Sequence, residues 1–563
     1  MNSKVVKIII NIFGKNKKLT LLLIFTIIGG VICGIATPWV LKYIIDDYLI
    51  NKSHKSLVMP ALLYFSTILF LGFFNFQKEI ILTIFGQKII RKIKSEMMKK
   101  LEKIPLLYLS TYESGQIVSR FDNDVQVVGS LFTSGIVSMI IDAFRIIGII
   151  ISIFIFSFEL GILTLLIVPI IYFLTKAFQT RMLKSQKLFR VIIGKVNNHL
   201  VETINNMEMI KSYAKEKYME GKYKHYLNKS YTAMDKINFY DSIFSPIIIT
   251  LRAVIVGIVA FFCSPYLKFI GISIGSVAAT IELINKIFAP IESLGMELQN
   301  IQESIAGIYR IDEFLNEKEE NKKNKSLTYD KIINRFNLNI KLEEVSFHYV
   351  KGENILENIN LIINYNENVV FVGRTGVGKS TLFKLILGLL KPSEGTITIG
   401  DVDVSEIPNS EKRQIFGYVE QNFSFIEGNV YDQISLKDKK ISKEEIEEII
   451  KFVGLHDYIM TLEKGYNTLV APQFFSQGQR QLLSIARAVV TSPPIILLDE
   501  ITASLDSATE AKIISVLRDV SYDRTLLCIS HRLSSIFTTD KIIKLENKSI
   551  KEGAKKYETM YGC

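Results

Sequence analysis

The chain has 563 residues, 48% of them apolar, with a mean hydropathy of +0.27, a net charge of +11 and a pI of about 9.1. It is too long for one core and too apolar for an ordinary soluble protein, so two or more domains and membrane spans are expected. The basic balance suits nucleic acid in principle, but no nucleic-acid motif is present, and the cations cluster beside apolar runs as they do in cytoplasmic loops of membrane proteins.

Six stretches are long and apolar enough to cross a bilayer, near 19–44, 57–78, 131–157, 159–179, 242–263 and 271–298. The first follows Lys4, Lys7, Lys15, Lys17 and Lys18, and it is too long for the apolar core of a signal peptide, so it reads as a retained span. The third and fourth nearly touch through Ser157, Phe158 and Glu159, which demands a tight turn. Long basic segments follow the second span (Lys88 to Lys103) and the fourth (Arg181 to Lys195). The positive-inside rule places the N-terminus and both segments in the cytoplasm, and an even span count returns the C-terminal half there. The long segments keep a helical apolar period, so they read as helices running on out of a cytoplasmic membrane. Asp142 with Arg145, Arg252, and Glu282 with Lys286 fall within spans, where they either line a polar path or pair internally at i,i+3 and i,i+4. The four cysteines, Cys33, Cys263, Cys528 and Cys563, have neither metal-ligand nor redox spacing.

The texture changes near Asn316, where a charged stretch without periodicity reads as a linker. Beyond it, strand-like runs (Leu338–Tyr349, Val369–Val372, Ile495–Leu498, Thr525–Ile529) alternate with helical ones, an α/β pattern. The expected organisation is a transmembrane domain over 1–315, all-α with six spans, a linker over 316–335 and an α/β P-loop NTPase domain over 336–563.

Gly373-Arg374-Thr375-Gly376-Val377-Gly378-Lys379-Ser380 fits G-x-x-x-x-G-K-[ST], with an apolar strand before it and a helix, Thr381–Leu390, after it. Its glycines let the backbone curl until N–H groups face a phosphate, and the helix N-terminus adds partial positive charge. These residues, with Thr381, are the candidate ATP-binding set. Lys379 reaches the β- and γ-phosphates, and the Ser380 hydroxyl suits Mg²⁺. The buried-strand run Ile495–Leu498 ends in Asp499-Glu500. Asp499 there meets Mg²⁺, and Glu500 orients or deprotonates the attacking water.

Phe475-Ser476-Gln477-Gly478-Gln479-Arg480-Gln481, followed by Ser484-Ile485-Ala486-Arg487-Ala488, resembles the signature motif of ABC ATPases. Gln421 resembles the glutamine of the family's Q-loop, Ala503-Ser504-Leu505-Asp506 its D-loop, His531 its switch histidine and Tyr349 the aromatic that stacks on adenine. Pro38 with Asp46, the run Gly115–Asp124 with Arg120, Glu202 and Arg310 sit where the family has similar residues in its membrane half. The resemblance covers the whole chain and is to an exporter half-transporter of the multidrug or lipid type.

Such ATPase domains pair head to tail around two ATPs, each lying on one subunit's P-loop and under the other's signature motif. The resemblance therefore implies that Ser476, Gln477, Gly478 and Gln479 face a nucleotide held by a second half-transporter. It also implies that Gln421 adds to the Mg²⁺ site of Ser380 and Asp499, and that Glu500, His531 and Lys379 carry hydrolysis. The implied function is ATP-driven export, with cytoplasmic helices near Leu106–Ser114 and Met207–Glu220 carrying motion to lipid-embedded spans. The rival reading is a nucleotide-gated membrane sensor that transports nothing.

Three departures stand out. The usual Leu-Ser-Gly-Gly-Gln has become Phe475-Ser476-Gln477-Gly478-Gln479, with bulk where backbone approaches phosphate. With Glu500 and His531 retained, this combination resembles the competent subunit of a heterodimeric exporter, the alternative being a homodimer that tolerates Gln477. Thr468–Phe475 is short and lacks the acidic-glycine loop of relatives. Asn366-Glu367-Asn368 stands where a glycine turn is usual, and Asn tolerates positive φ.

Overall fold

The computed structural model describes residues 3–50, 57–112, 114–266, 273–320, 327–330, 332, 338–350, 352–501, 507–529 and 539–553. The chain forms two compact units, Met1–Glu102 with Ser114–Glu317, and Lys103–Glu113 with Lys318–Cys563.

Among the described residues the first unit is helical, and six of its helices are long and apolar enough to span a bilayer. Four of them (Val58–Leu101, Phe158–Asn205, Glu216–Tyr266 and Ile274–Asn316) have 44, 48, 51 and 43 residues. At 1.5 Å per residue these are roughly 65–77 Å long, twice the hydrocarbon thickness, so each runs well beyond the membrane. Ser157 alone makes the tight turn expected between the third and fourth spans. It ends Ile136–Phe156 and caps Phe158–Asn205, accepting from the Leu160 N–H and donating to Glu159 at 2.6 Å. Ile149, Ile153, Val259, Leu283 and Phe288 pack inside this unit. Phe65, Phe70, Phe76, Phe144 and Phe173 stand exposed on its outside, a surface suited to lipid.

Both internal pairs expected from the spacing form. Arg145 lies 3.7 Å from Asp142, and Lys286 lies 2.8 Å from Glu282. Neighbouring helices add partners: Ser293 donates to Asp142 at 2.6 Å, and Lys286 donates to the Gly34 carbonyl at 3.2 Å. Arg252 lies over the Phe288 ring at 5.0 Å. Asp46 binds the start of the last helix, accepting from the Ser273 hydroxyl at 2.6 Å and the Gly275 N–H at 2.8 Å. Gly275 is required there, since a Cβ would meet the Asp46 carboxyl and the Lys42 carbonyl at 2.6 Å. Arg310 clamps Asp124 through two bonds, of 2.8 and 2.5 Å, and Arg120 lies 3.4 Å from Glu313.

The second unit is α/β. Strands β1 (Ile340–His348), β2 (Asn354–Ile363), β3 (Asn368–Val372), β4 (Glu394–Ile399), β5 (Val402–Asp403), β6 (Phe416–Val419), β7 (Ile495–Asp499), β8 (Thr525–Ile529), β9 (Lys541–Glu546) and β10 (Ser549–Gly553) build two sheets. One is antiparallel in the order β2-β1-β4-β5, and the other has the order β10-β9-β3-β8-β7-β6. Strands β9, β3, β8, β7 and β6 of the second sheet run parallel, and β7 and β8 are buried at every position. The short helix Leu106–Thr111 belongs with this unit: Leu106 and Leu107 pack on the cluster built from β1, β2 and β4, and the Glu320 N–H donates to the Lys103 carbonyl at 2.9 Å. Asn366, ahead of β3, has φ +64°, so the turn that lacks glycine uses a residue that tolerates the left-handed region.

Candidate nucleotide-binding site

The parallel sheet brings the candidate residues to one edge. β8 lies between β3 and β7, so the P-loop after β3 and Asp499 at the end of β7 share the C-terminal edge of the sheet, where such folds bind ligands. The loop needs glycine at Gly376 (φ +86°) and Gly378 (φ +107°), both in the left-handed region. At Gly378 the space is also taken, because a Cβ would lie 2.9 Å from Ile355. Gly373, Arg374, Thr375 and Val377 complete the curl, and the helix Lys379–Ile386 begins two residues earlier than the apolar pattern predicts. Gly378 supplies the turn that starts it.

Lys379 is buried, and its ammonium donates back to the carbonyls of Gly373 at 2.7 Å and Arg374 at 3.0 Å. Burial lowers its pKa, against the raising pull of Glu500 and Asp499. Ser380 donates to Asp499 at 3.2 Å. Asp499 is buried, and burial raises its pKa despite bonds from Ser380 and Tyr418. Tyr418, on β6, donates to the other Asp499 oxygen at 3.3 Å, and burial followed by that carboxylate's charge holds the phenol well above its ordinary range. Tyr418 carries no motif of its own and was not legible as a site residue. Only the pairing of β6 with β7 places it.

Glu500 has φ +48°, uncommon for a non-glycine residue, and its N–H donates to the Ile529 carbonyl at 3.1 Å. Gln421 donates its side-chain amide to Glu500 at 3.0 Å. Thr381 meets the Tyr349 hydroxyl at 3.3 Å, and the Tyr349 ring packs edge-on to Phe347 at 5.0 Å. The switch-histidine position His531 and the D-loop run 503–506 lie outside the described residues.

The signature residues open the helix Gln477–Val489. Ser476 caps it in a reciprocal box: its hydroxyl accepts from the Gln479 N–H at 3.3 Å, and the Gln479 side chain accepts from the Ser476 N–H at 2.8 Å. The cap uses the hydroxyl only as an acceptor, so its proton stays available to a ligand. Gln477 is exposed at the first helical position, whereas Gly478 is buried. A Cβ on Gly478 would collide with Thr509 Cγ2 of the helix Ser507–Val520.

Two family models match this chain: the ABC transporter transmembrane region over residues 19–291 and the ABC transporter family over 356–503. The chain belongs to the ABC transporters. This transporter is 28% identical to the uncharacterized ABC transporter ATP-binding protein YfiC of Bacillus subtilis over 548 residues, covering 95% of this chain and 88% of that one. It is also 28% identical to the multidrug resistance-like ATP-binding protein MdlB of Buchnera aphidicola subsp. Schizaphis graminum over 541 residues, covering 95% and 92%. Its fold matches a bacterial Atm1-family ABC exporter solved with ATP bound, with a TM-score of 0.76 at 20% identity over 96% of this chain and 95% of that one. It is thus a multi-pass membrane protein of exporter-type fold, with an ATPase domain on the same chain.

Proposed function

We propose that this transporter exports a substrate out of the cytoplasm as one half of a dimer, with ATP binding closing the paired ATPase domains and hydrolysis reopening them. The observation that carries this is the convergence of Lys379, Ser380, Asp499, Gln421 and Glu500 at one sheet edge, in a chain that also holds six spans. Lys379 and the P-loop N–H groups hold the phosphates of ATP. Ser380 and Asp499 present hard oxygen donors 3.2 Å apart, a set that fits Mg²⁺, with Gln421 beside it. When bound, the ion supplies charge neutralisation at the β- and γ-oxygens. Glu500, fixed through its backbone and through Gln421, orients the attacking water and takes its proton. Tyr349 and Thr381 flank the nucleotide, and His531, which follows β8 in the sequence, is assigned to the γ-phosphate. Binding energy changes shape because ATP favours one of two states of the pair.

We assign the second half of the dimer to a different chain. Gln477 supports this. Its side chain is exposed at the position from which the signature backbone would face the partner's nucleotide, so this chain's own P-loop is well furnished while the motif it lends is obstructed.

The decisive experiment is reconstitution into vesicles with and without a candidate second half-transporter from the same cell, using Glu500→Gln as control. ATP-dependent uptake into inside-out vesicles should require both chains and fall by roughly two to four orders of magnitude in the variant. Hydrolysis without uptake of any tested class would favour the sensor. Full transport by the chain alone would overturn the heterodimer.

A further inference from the structure

We propose that Gln481 is a positioning residue for hydrolysis, holding Gln421 against Glu500 and so tying the signature helix to the hydrolytic centre of its own chain. This rests on the roles given above to Gln421 and Glu500.

Gln481 lies one turn into the helix that Ser476 caps, and it is 5% exposed. Its amide donates to the Gln421 main-chain carbonyl at 2.8 Å. Gln421 in turn donates its own amide to Glu500 at 3.0 Å. Two hydrogen bonds therefore link the signature helix to the carboxylate assigned to the attacking water. The same helix holds the following residues of that loop. Arg487 donates to the Ser424 carbonyl at 3.0 Å and lies over the Phe423 ring at 3.9 Å. The loop is thus fixed to the helix at Gln421 and again at Phe423 and Ser424, so displacement of the helix carries the loop with it.

Stability does not account for Gln481. Its Oε1 is buried with no hydrogen-bond partner among the described residues, so the bond to Gln421 is offset by an unmet acceptor. An apolar side chain of similar shape would serve the packing as well or better. What it would lack is the donor aimed at Gln421. Among the described residues, the sheet holds Glu500 through its backbone, at φ +48°, and its carboxylate is held by Gln421. Ser476, at the start of the helix, is assigned to the partner's nucleotide. The path Ser476, Gln481, Gln421, Glu500 then lets occupancy of one ATP site set the hydrolytic readiness of the other.

The test uses the full transporter in lipid vesicles and compares Gln481→Met, which keeps length and removes the donor, with the parent. The expected result is an unchanged or higher unfolding temperature, a KM for ATP within about twofold, and kcat lower by about three- to tenfold. In a Gln421→Ala background the same change should lower kcat no further, because its effect runs through that side chain. Should Gln481→Met not assemble, Gln481→Leu makes the same comparison. An unchanged kcat, a loss that follows the unfolding temperature, or effects that multiply with Gln421→Ala would overturn the proposal. If Glu500→Gln hydrolyses ATP at the parental rate, the failure lies instead in the role given to Glu500.

Discussion

Asp499 shows how one residue can serve a site at the expense of the apo fold. Its carboxyl is buried beside Glu500, and the bonds from Ser380 and Tyr418 do not undo the effect of burial. A group whose folded pKa exceeds its unfolded value contributes stability that is complete below the unfolded pKa and is lost as pH rises through the folded one. Above its ordinary range near 3.8, Asp499 therefore weakens the nucleotide-free domain progressively. Asp499→Asn should raise the unfolding temperature of the apo transporter at neutral pH, and should flatten its decline between about pH 4 and the raised native value. The same variant should lose most of the stabilisation that Mg-ATP confers, which differential scanning fluorimetry with and without nucleotide would read. An Asp499→Asn protein less stable than the parent without nucleotide would refute this account. Lys379 is shifted the other way: burial lowers its pKa, and an anionic phosphate beside it would raise it again.

At the scale of elements, the signature helix separates two positions that look equivalent in the motif. Gly478 is a packing residue, because a Cβ there would strike Thr509 on the helix Ser507–Val520. Gln477 is exposed at the first position of the helix. Gly478→Ala should therefore destabilise by about 1–3 kcal/mol, the range for overpacking, and Thr509→Ser, which removes the struck methyl, should recover most of it. Gln477→Gly, at an exposed position, should cost less than Gly478→Ala, while changing the nucleotide site proposed to lie against the partner. Chemical denaturation monitored by fluorescence would separate these. Equal losses at both positions would contradict the assignment. The turn before β3 makes a related point, since Asn366 at φ +64° does the work usually given to glycine.

For the whole molecule, the basic segments imply an orientation that can be measured. The proposed orientation puts Glu159, exposed beside the turn at Ser157, on the outer side and Ser212, exposed at the end of the short helix Met207–Ser212, in the cytoplasm. In a background with the four native cysteines replaced, Glu159→Cys should react with a membrane-impermeant maleimide in intact cells. Ser212→Cys should react only after permeabilisation. The reverse pattern would invert the topology and place the ATPase domain on the wrong side for cellular ATP.

Much of this protein was legible in the sequence because the relevant physics is local. Span number follows from runs of apolar residues, helix continuation from a 3.6-residue period, and the P-loop from glycines whose φ must be positive. Asp499 and Glu500 were legible because a buried parallel strand writes itself as an unbroken apolar run ending at the site. Other features depend on residues far apart in the chain meeting in space. The strand order β3-β8-β7-β6 decides that Tyr418 touches Asp499, and helix packing decides that Gln481 holds Gln421 and that Gly478, not residue 477, must stay small. Tertiary structure alone shows that Leu106–Thr111 packs with the ATPase core and that Asp142 gains Ser293 as well as its near neighbour Arg145. The P-loop centred on Lys379 was readable at once. What stands around it was not, since hydrogen bonds between separate strands and helices leave no periodic trace in a sequence.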